Sequence, residues 1–281
     1  MNSGDWLVKA SKTLDTAGIG TARLDALVLL EDVTGKDRGY LLANPESQIS
    51  SSNLSRLTNL LNKRITHLPL AYVRGKTEFY GRTFTITPAV LEPRPESETM
   101  IELLKNILSD KGKKYSQLLT DKRLALADIG SGSGALGITA KLELQNLEVD
   151  LIEIDKKALN ISKSNVDLFT LNIRTIENNL LTNSNKPYNI LLCNLPYVPD
   201  DHTINRAAMH EPSFAIFGGP DGLDLYRKLF FQVKNQTSKP LLIFTESLPP
   251  QHVVLDTIAQ KHGYHLIDEE DFIQVFELSA L

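Results

Sequence analysis

Ala127-Asp128-Ile129-Gly130-Ser131-Gly132-Ser133-Gly134-Ala135 joins an apolar run, Leu124–Ile129, to a stretch of helical character over 135–144. Glycines at 130, 132 and 134 let the chain turn sharply and bring its main chain close to a ligand. The helix that follows begins with N–H groups that have no partner inside the helix and point toward whatever occupies the turn. Asp128, Gly130, Ser131, Gly132, Ser133 and Gly134 are therefore candidate cofactor-binding residues.

The chain beyond this turn alternates. Val149–Ile154 reads as a strand and 156–170 as a helix. Ile173–Ile176, Asn189–Cys193, Leu241–Phe244, Tyr264–Ile267 and Phe272–Phe276 read as further strands. Such alternation predicts a mostly parallel, doubly wound sheet, an α/β fold that binds ligands beyond the carboxyl ends of its strands. Glu153 falls at such an end, 25 residues after Asp128, where a carboxylate can accept hydrogen bonds from both ribose hydroxyls of a nucleoside; Asp155 is the competing candidate. Asn179 follows the next strand and reads either as a partner for the adenine edge or as a turn asparagine. These features do not separate two cofactors. Gly130, Gly132 and Ala135 satisfy the dinucleotide spacing, and the same stretch satisfies an Asp-x-Gly-x-Gly-x-Gly turn suited to S-adenosylmethionine.

Asn194-Leu195-Pro196-Tyr197, directly after the apolar strand, narrows the choice. An amide or exocyclic amine nitrogen is a weak nucleophile because its lone pair is conjugated away. The Asn194 side-chain oxygen can accept one N–H of such a group and the Leu195 carbonyl the other. Together they would aim the nitrogen at an electrophilic methyl, while Tyr197 packs against the planar acceptor. Orientation of this kind can supply on the order of 7–11 kcal/mol of a barrier. Asn194, Pro196 and Tyr197 are the predicted catalytic residues. Asn194 also counts on the cofactor side, and Asn194, Leu195, Pro196 and Tyr197 on the substrate side. Cys193 reads as a small apolar strand residue.

Upstream, 4–17, 22–35 and 50–65 read as helices, the third capped by Ser51 or Asn53. In the second, Ala26, Leu29, Leu30 and Val33 recur at helical spacing, with Leu24, Leu27 and Val28 as a neighbouring stripe, which predicts burial on most sides. Gly35 marks its end. Phe79, Tyr80, Phe84 and Ile86 flank Gly81-Arg82 as a β-hairpin. Pro93-Arg94-Pro95 is rigid and extended, and Arg94 and Glu96 are candidate substrate-binding residues. A helix is expected over Glu96–Leu108 and a connector over 109–122.

The whole chain has 281 residues with 42% hydrophobic and 23% charged residues, enough for one large domain or two ordinary ones. The formal net charge is −4, which disfavours a nucleic-acid partner. Residues 1–88 carry 11 Lys and Arg against 8 Asp and Glu. A single cysteine rules out an internal disulfide and suits a reducing compartment. No apolar run has the length of a membrane span, so a cytoplasmic location is expected. The six histidines show no metal-ligand spacing with Cys193, and no metal site is expected.

The sequence resembles the PrmC/HemK family, the N(5)-glutamine methyltransferases of class I peptide chain release factors. Beyond the glycine loop and Asn194–Tyr197, the resemblance rests on Ala22-Arg23-Leu24-Asp25-Ala26, on Pro69-Leu70-Ala71-Tyr72 with Gly75, and on Glu78-Phe79-Tyr80-Gly81 with Phe84. Leu91-Glu92-Pro93-Arg94-Pro95-Glu96-Ser97-Glu98, Glu211-Pro212 and Phe217-Gly218-Gly219-Pro220-Asp221-Gly222-Leu223 complete it. It implies a helical substrate-recognition domain over 1–75, a hairpin linker over 76–95, and a class I, Rossmann-like methyltransferase domain with a mostly parallel seven-stranded sheet over 96–281. It further implies S-adenosyl-L-methionine as cofactor and, as acceptor, the glutamine of the Gly-Gly-Gln motif in a release factor.

Two departures stand out. Leu195 occupies a position where the family has proline, a form also similar to rRNA adenine dimethyltransferases, and Asp268–Phe276 lacks the family's closing phrase. The alternatives are a glutamine methyltransferase of a ribosomal protein, an rRNA adenine N-methyltransferase, an NAD(P) oxidoreductase and a catalytically silent binding module.

Overall fold

The computed structural model describes residues 1–109, 124–182, 184 and 186–279. The connector expected over 109–122 therefore lies, beyond Ser109, outside the described residues. The chain divides into two compact units: Met1–Lys76 together with Ile204–His210, and Thr77–Thr203 together with Glu211–Leu281.

The first unit is helical, with α1 (Ser3–Thr16), α2 (Ala22–Thr34), α3 (Arg38–Ala43), α4 (Ser51–Arg64) and α5 (Leu70–Arg74). Trp6, Leu14, Leu29, Leu30 and Leu57 form its core. Helix α2 ends where the sequence places its stop, because Gly35 takes the left-handed conformation at φ 68°. It is buried on most sides, as its pattern predicts, with Ala26, Leu27, Leu29, Leu30 and Val33 all buried and Leu24 the exception at 49% exposed. The cap of α4 is Ser50, one residue before the expected candidates, and its hydroxyl accepts from the Asn53 N–H. Asp25 is buried and accepts a 2.7 Å bond from Arg64 Nε, so the acidic residue of the Ala22–Ala26 motif holds α2 to α4.

The second unit begins at Thr77, the second residue of a hairpin, β1 (Lys76–Phe79) and β2 (Arg82–Thr85). Its turn is centred on Tyr80-Gly81, not Gly81-Arg82. Both residues have positive φ, 52° and 69°, as a two-residue turn that follows the strand twist requires. Arg94 is extended between its prolines. A short 3-10 turn, Pro95–Ser97, then leads into α6 (Glu98–Ser109).

The seven-stranded sheet contains β3 (Ala125–Ile129), β4 (Glu148–Glu153), β5 (Arg174–Glu177), β6 (Ile190–Cys193), β7 (Leu242–Glu246), β8 (Tyr264–Glu270) and β9 (Ile273–Leu278). Their order is β5-β4-β3-β6-β7-β9-β8. The first five run parallel, and β9 pairs antiparallel with both β7 and β8. Helices α7 (Ala135–Glu143) and α8 (Lys156–Leu168) provide crossovers, and α9 (Asp224–Lys234) and α10 (His252–Lys261) follow later in the chain. The central strands are apolar along their length because both faces are covered: Ile190, Leu191, Leu192 and Cys193 are all buried. One face packs with α6, α7 and the hairpin phenylalanines, the other with α9 and α10.

Candidate active site

Strand order reverses at β3 and β6. From β3 the chain moves outward to β4 and β5, and β6 returns to the other side of β3. In an open α/β sheet this switch leaves a crevice at the carboxyl ends of the two strands. Ile129 and Cys193, the last residues of β3 and β6, are in register, so Gly130 and Asn194 leave the sheet side by side. A side chain on Gly130 would lie 3.0 Å from Leu195 Cδ2, which is how closely the two turns approach. The cleft above them has a volume of about 320 Å³ and is lined by the glycine loop, Glu153, Asn179 and Asn194–Pro196.

On the β3 side, Glu153 is buried against the glycine loop. Gly132 N–H donates to its Oε2 at 3.0 Å, and the N–H groups of Ile154 and Asp155 donate to Oε1. Asp155 is occupied elsewhere: its carboxylate caps α8 by accepting from the N–H groups of Lys157 and Ala158. Of the two ribose candidates, only Glu153 lines the cleft. Asp128 Oδ2 accepts from Gly137 N–H at 2.8 Å, tying the end of β3 to the first turn of α7. Burial pushes the Asp128 carboxyl up to about 7; the Gly137 N–H opposes this and the Glu153 charge adds to it. Gly134 does not line the cleft. Its φ of 80° starts α7, and a side chain there would meet Leu151 at 2.9 Å. Asn179 lines the opposite end, and its Oδ1 accepts from Lys228 Nζ at 2.8 Å.

On the β6 side, Leu195 is buried, with its side chain packed in the core cluster that includes Ile129 and Cys193 and its Cδ2 beside Gly130. Its N–H donates to the Tyr226 hydroxyl at 3.3 Å. The Asn194–Tyr197 main chain is braced from below by the 217–223 segment. A β-carbon on Gly218 would fall 2.2 Å from Pro196 O, and one on Gly222 2.0 Å from Tyr197 O. Gln251 Nε2 donates to both Tyr197 O and Asp221 O at 2.7 Å. These contacts give the Phe217–Leu223 motif its physical reason: the glycines allow one loop to lie directly against another.

Asn194 lines the cleft and Tyr197 does not. Asn194 Nδ2 donates to Ser97 Oγ at 3.0 Å, and Ser97 Oγ donates to Glu246 Oε2 at 2.6 Å. The Tyr197 hydroxyl donates to Glu246 Oε1 at 3.0 Å. Among the described residues no donor meets Asn194 Oδ1. Burial pushes the Glu246 carboxyl up, and the bonds from Ser97 and Tyr197, with the Asn194 amide close by, pull it down. The Tyr197 hydroxyl is raised by burial and by the Glu246 charge.

Arg94 and Glu96 flank the cleft wall formed by Pro93 and Ser97 without lining it themselves. Arg94 Nη2 bonds the buried Glu211 carboxylate at 2.5 Å, joining the Pro-Arg-Pro segment to Glu211-Pro212; Glu96 is exposed. Sequence reasoning missed Ser97 as a site residue and Glu246 altogether. The sequence signal for Glu246 is a lone carboxylate closing an apolar strand at the ligand-binding edge; the strand runs two residues past Phe244. Among the described residues, no cluster of His, Cys, Asp or Glu is arranged to hold a metal, and no helix is long and apolar enough to cross a membrane.

This sheet order is that of the class I methyltransferase fold. Solved structures with the same fold include a methyltransferase from Pyrococcus furiosus, at 17% identity, TM-score 0.53, covering 82% of this chain and 100% of that one. Another is the Thermus thermophilus 16S rRNA N2 G1207 methyltransferase in complex with AdoMet and guanosine, at 16% identity, TM-score 0.51, covering 73% and 50%. Residues 5–75 match the PrmC N-terminal domain and residues 109–211 the methyltransferase small domain. Proteins named release factor glutamine methyltransferase are 31% identical over 268 residues in Clostridium botulinum, covering 92% of this chain and 91% of the relative, and 31% identical over 252 residues in Coxiella burnetii, covering 89% and 87%. The chain belongs to the release factor glutamine methyltransferase family.

The cofactor of this class is S-adenosylmethionine, and the residues present fit it. The Glu153 carboxylate is fixed by three main-chain N–H groups and retains acceptor capacity toward the cleft. The buried Ser131 Oγ has no partner among the described residues and lines the same cleft.

Proposed function

We propose that the enzyme methylates the side-chain amide nitrogen of the glutamine in the Gly-Gly-Gln motif of class I peptide chain release factors. The observation that carries this reading is the state of Asn194: it lines the cleft beside the glycine loop with its Nδ2 engaged by Ser97 and its Oδ1 unmatched by any described donor. An acceptor at that position must present an N–H. A glutamine carboxamide offers two, one for Asn194 Oδ1 and one for the Leu195 carbonyl. S-adenosylmethionine, when bound, supplies a methyl group on a sulfonium, whose carbon–sulfur bond breaks as the nitrogen–carbon bond forms.

The chain's residues contribute orientation. Asn194 and Leu195 hold the NH2 group so that its lone pair faces the cofactor, and the spent proton leaves to water. Glu153 and the glycine loop hold the nucleoside, with Asp128 shaping the loop from behind. Tyr197, Pro196, Arg94 and Glu96 are assigned to the rim that receives the peptide. The helical unit is assigned to grip the body of the release factor, supported by the match of residues 5–75 to the PrmC N-terminal domain and by the names of the relatives.

The test uses labelled S-adenosylmethionine with a panel of release factor, ribosomal protein and rRNA, followed by mass mapping of the modified atom. Label on the Gly-Gly-Gln amide nitrogen, abolished in Asn194→Ala with cofactor binding retained, is the expected result. Label on rRNA or a ribosomal protein alone would overturn it.

A further inference from the structure

We propose that Glu246 is a positioning residue for methyl transfer, which through the Ser97 hydroxyl fixes the direction of the Asn194 carboxamide and at the same time anchors the Tyr197 hydroxyl. The inference rests on the acceptor site assigned above and adds to it a buried carboxylate from a different strand.

A carboxamide has two similar ends, an acceptor oxygen and a donor NH2, and a half-turn about its last bond exchanges them. Only the oxygen toward the cleft can accept an N–H from the acceptor group. Something must choose between the two orientations, and Ser97 alone cannot, because a hydroxyl both donates and accepts. Glu246 removes that ambiguity. Its carboxylate offers only acceptors, so Ser97 must spend its one proton on Glu246 Oε2, at 2.6 Å. The Ser97 oxygen is then left as an acceptor, and it takes the Asn194 Nδ2 proton at 3.0 Å. Oδ1 is directed the other way.

The same carboxylate takes the Tyr197 hydroxyl proton at 3.0 Å on its other oxygen. One group therefore sets two positions of the Asn194–Tyr197 turn, three residues apart. Glu246 and Ser97 are 1% and 2% exposed, so water does not compete for these protons. The Glu246 main chain is held as well: the Tyr226 hydroxyl donates to its carbonyl at 2.5 Å while also accepting the Leu195 N–H.

A glutamine in place of Glu246 keeps shape and volume but adds an NH2 donor. Ser97 can then accept from it and turn its own proton toward Asn194, which favours the reversed amide. Glu246→Gln and Ser97→Ala are each expected to lower kcat on the order of 10²-fold, the effect of a misplaced reacting group, with the cofactor Kd and the release-factor KM nearly unchanged. The double variant is expected to lose no more than the worse single one, because the residues act as one unit. Ser97→Thr, which restores the hydroxyl, is expected to recover most of the rate.

Folded Glu246→Gln protein with wild-type kcat, or losses that multiply in the double variant, would overturn the proposal. So would a loss appearing in cofactor affinity instead of kcat. Asn194→Ala is run alongside: if it retains activity the acceptor-site reading itself fails, whereas an inactive Asn194→Ala beside an active Glu246→Gln removes only the role of Glu246.

Discussion

Asn165 and Thr85 exchange a pair of hydrogen bonds: the Thr85 N–H donates to Asn165 Oδ1 at 2.8 Å, and Asn165 Nδ2 donates to the Thr85 carbonyl at 3.0 Å. The same Nδ2 also donates to the Ser133 carbonyl at 2.9 Å. One buried amide on α8 thus completes the edge of the hairpin and pins the glycine loop.

Asn165→Ala leaves a main-chain donor and two carbonyls without this partner, in a place where the side chain it replaces is fully buried. A loss of roughly 2–4 kcal/mol is expected, at the upper end for a single substitution. Cofactor affinity falls with it because Ser133 is released. Urea unfolding and calorimetric titration of the cofactor check both; unchanged values would mean that the bonds contribute nothing net.

Gly222→Ala places a β-carbon 2.0 Å from Tyr197 O, at a φ of 79° that non-glycine residues seldom adopt. The Asn194–Tyr197 turn must move to admit it. The expected outcome is a drop in methyl-transfer rate on the order of 10²-fold, while Glu153 and the glycine loop still bind cofactor. A steady-state assay with a cofactor titration separates the two, and a fully active variant would show that the loop yields without disturbing the turn.

Burial raises Asp128 from its ordinary 3.8 to about 7. The folded protein therefore binds more protons than the unfolded chain between these values, and its stability falls as pH rises across that window. The contribution is complete below 3.8 and gone above about 7. Asp128→Asn can still accept the Gly137 N–H but does not titrate. Relative to wild type, its melting temperature should climb from pH 4 to pH 7 and level off beyond. A difference that stays flat with pH would mean that Asp128 is not raised.

Glu153→Ala and Asp155→Ala should separate cleanly. The first removes the only carboxylate of the pair that lines the cleft, with an expected loss of about 2–3 kcal/mol of cofactor affinity. The second removes the cap of α8, costing about 1 kcal/mol of stability and little affinity. Reversed outcomes would move the ribose contact to Asp155.

Much of this was legible in the chain because local chemistry and tertiary role coincide. The glycine loop, the apolar parallel strands and Gly35 each announce one structure. Other features needed the third dimension. Tyr226, Leu229, Phe230 and Val233 carry helical spacing in α9, as do Leu255, Ile258 and Ala259 in α10, but exposed apolar residues on the same helices, Phe231, Val253 and Val254, blur that period in the sequence. Leu24 reads as core by its neighbours and is exposed. The placement of Ile204–His210 with the helical unit, where His210 Nε2 lies 3.2 Å from the Thr66 carbonyl, has no local signature. Glu246 and Ser97 are 149 residues apart, and no pattern along the chain joins them.

Leu195 is buried with its side chain filling the space beside Gly130, so that it forms part of the wall between the two turns at the cleft. What the fold asks of that side chain is that it be apolar and fill the space beside Gly130. An aliphatic side chain meets that requirement as a pyrrolidine ring does, and a search pattern that insists on proline would pass over this chain.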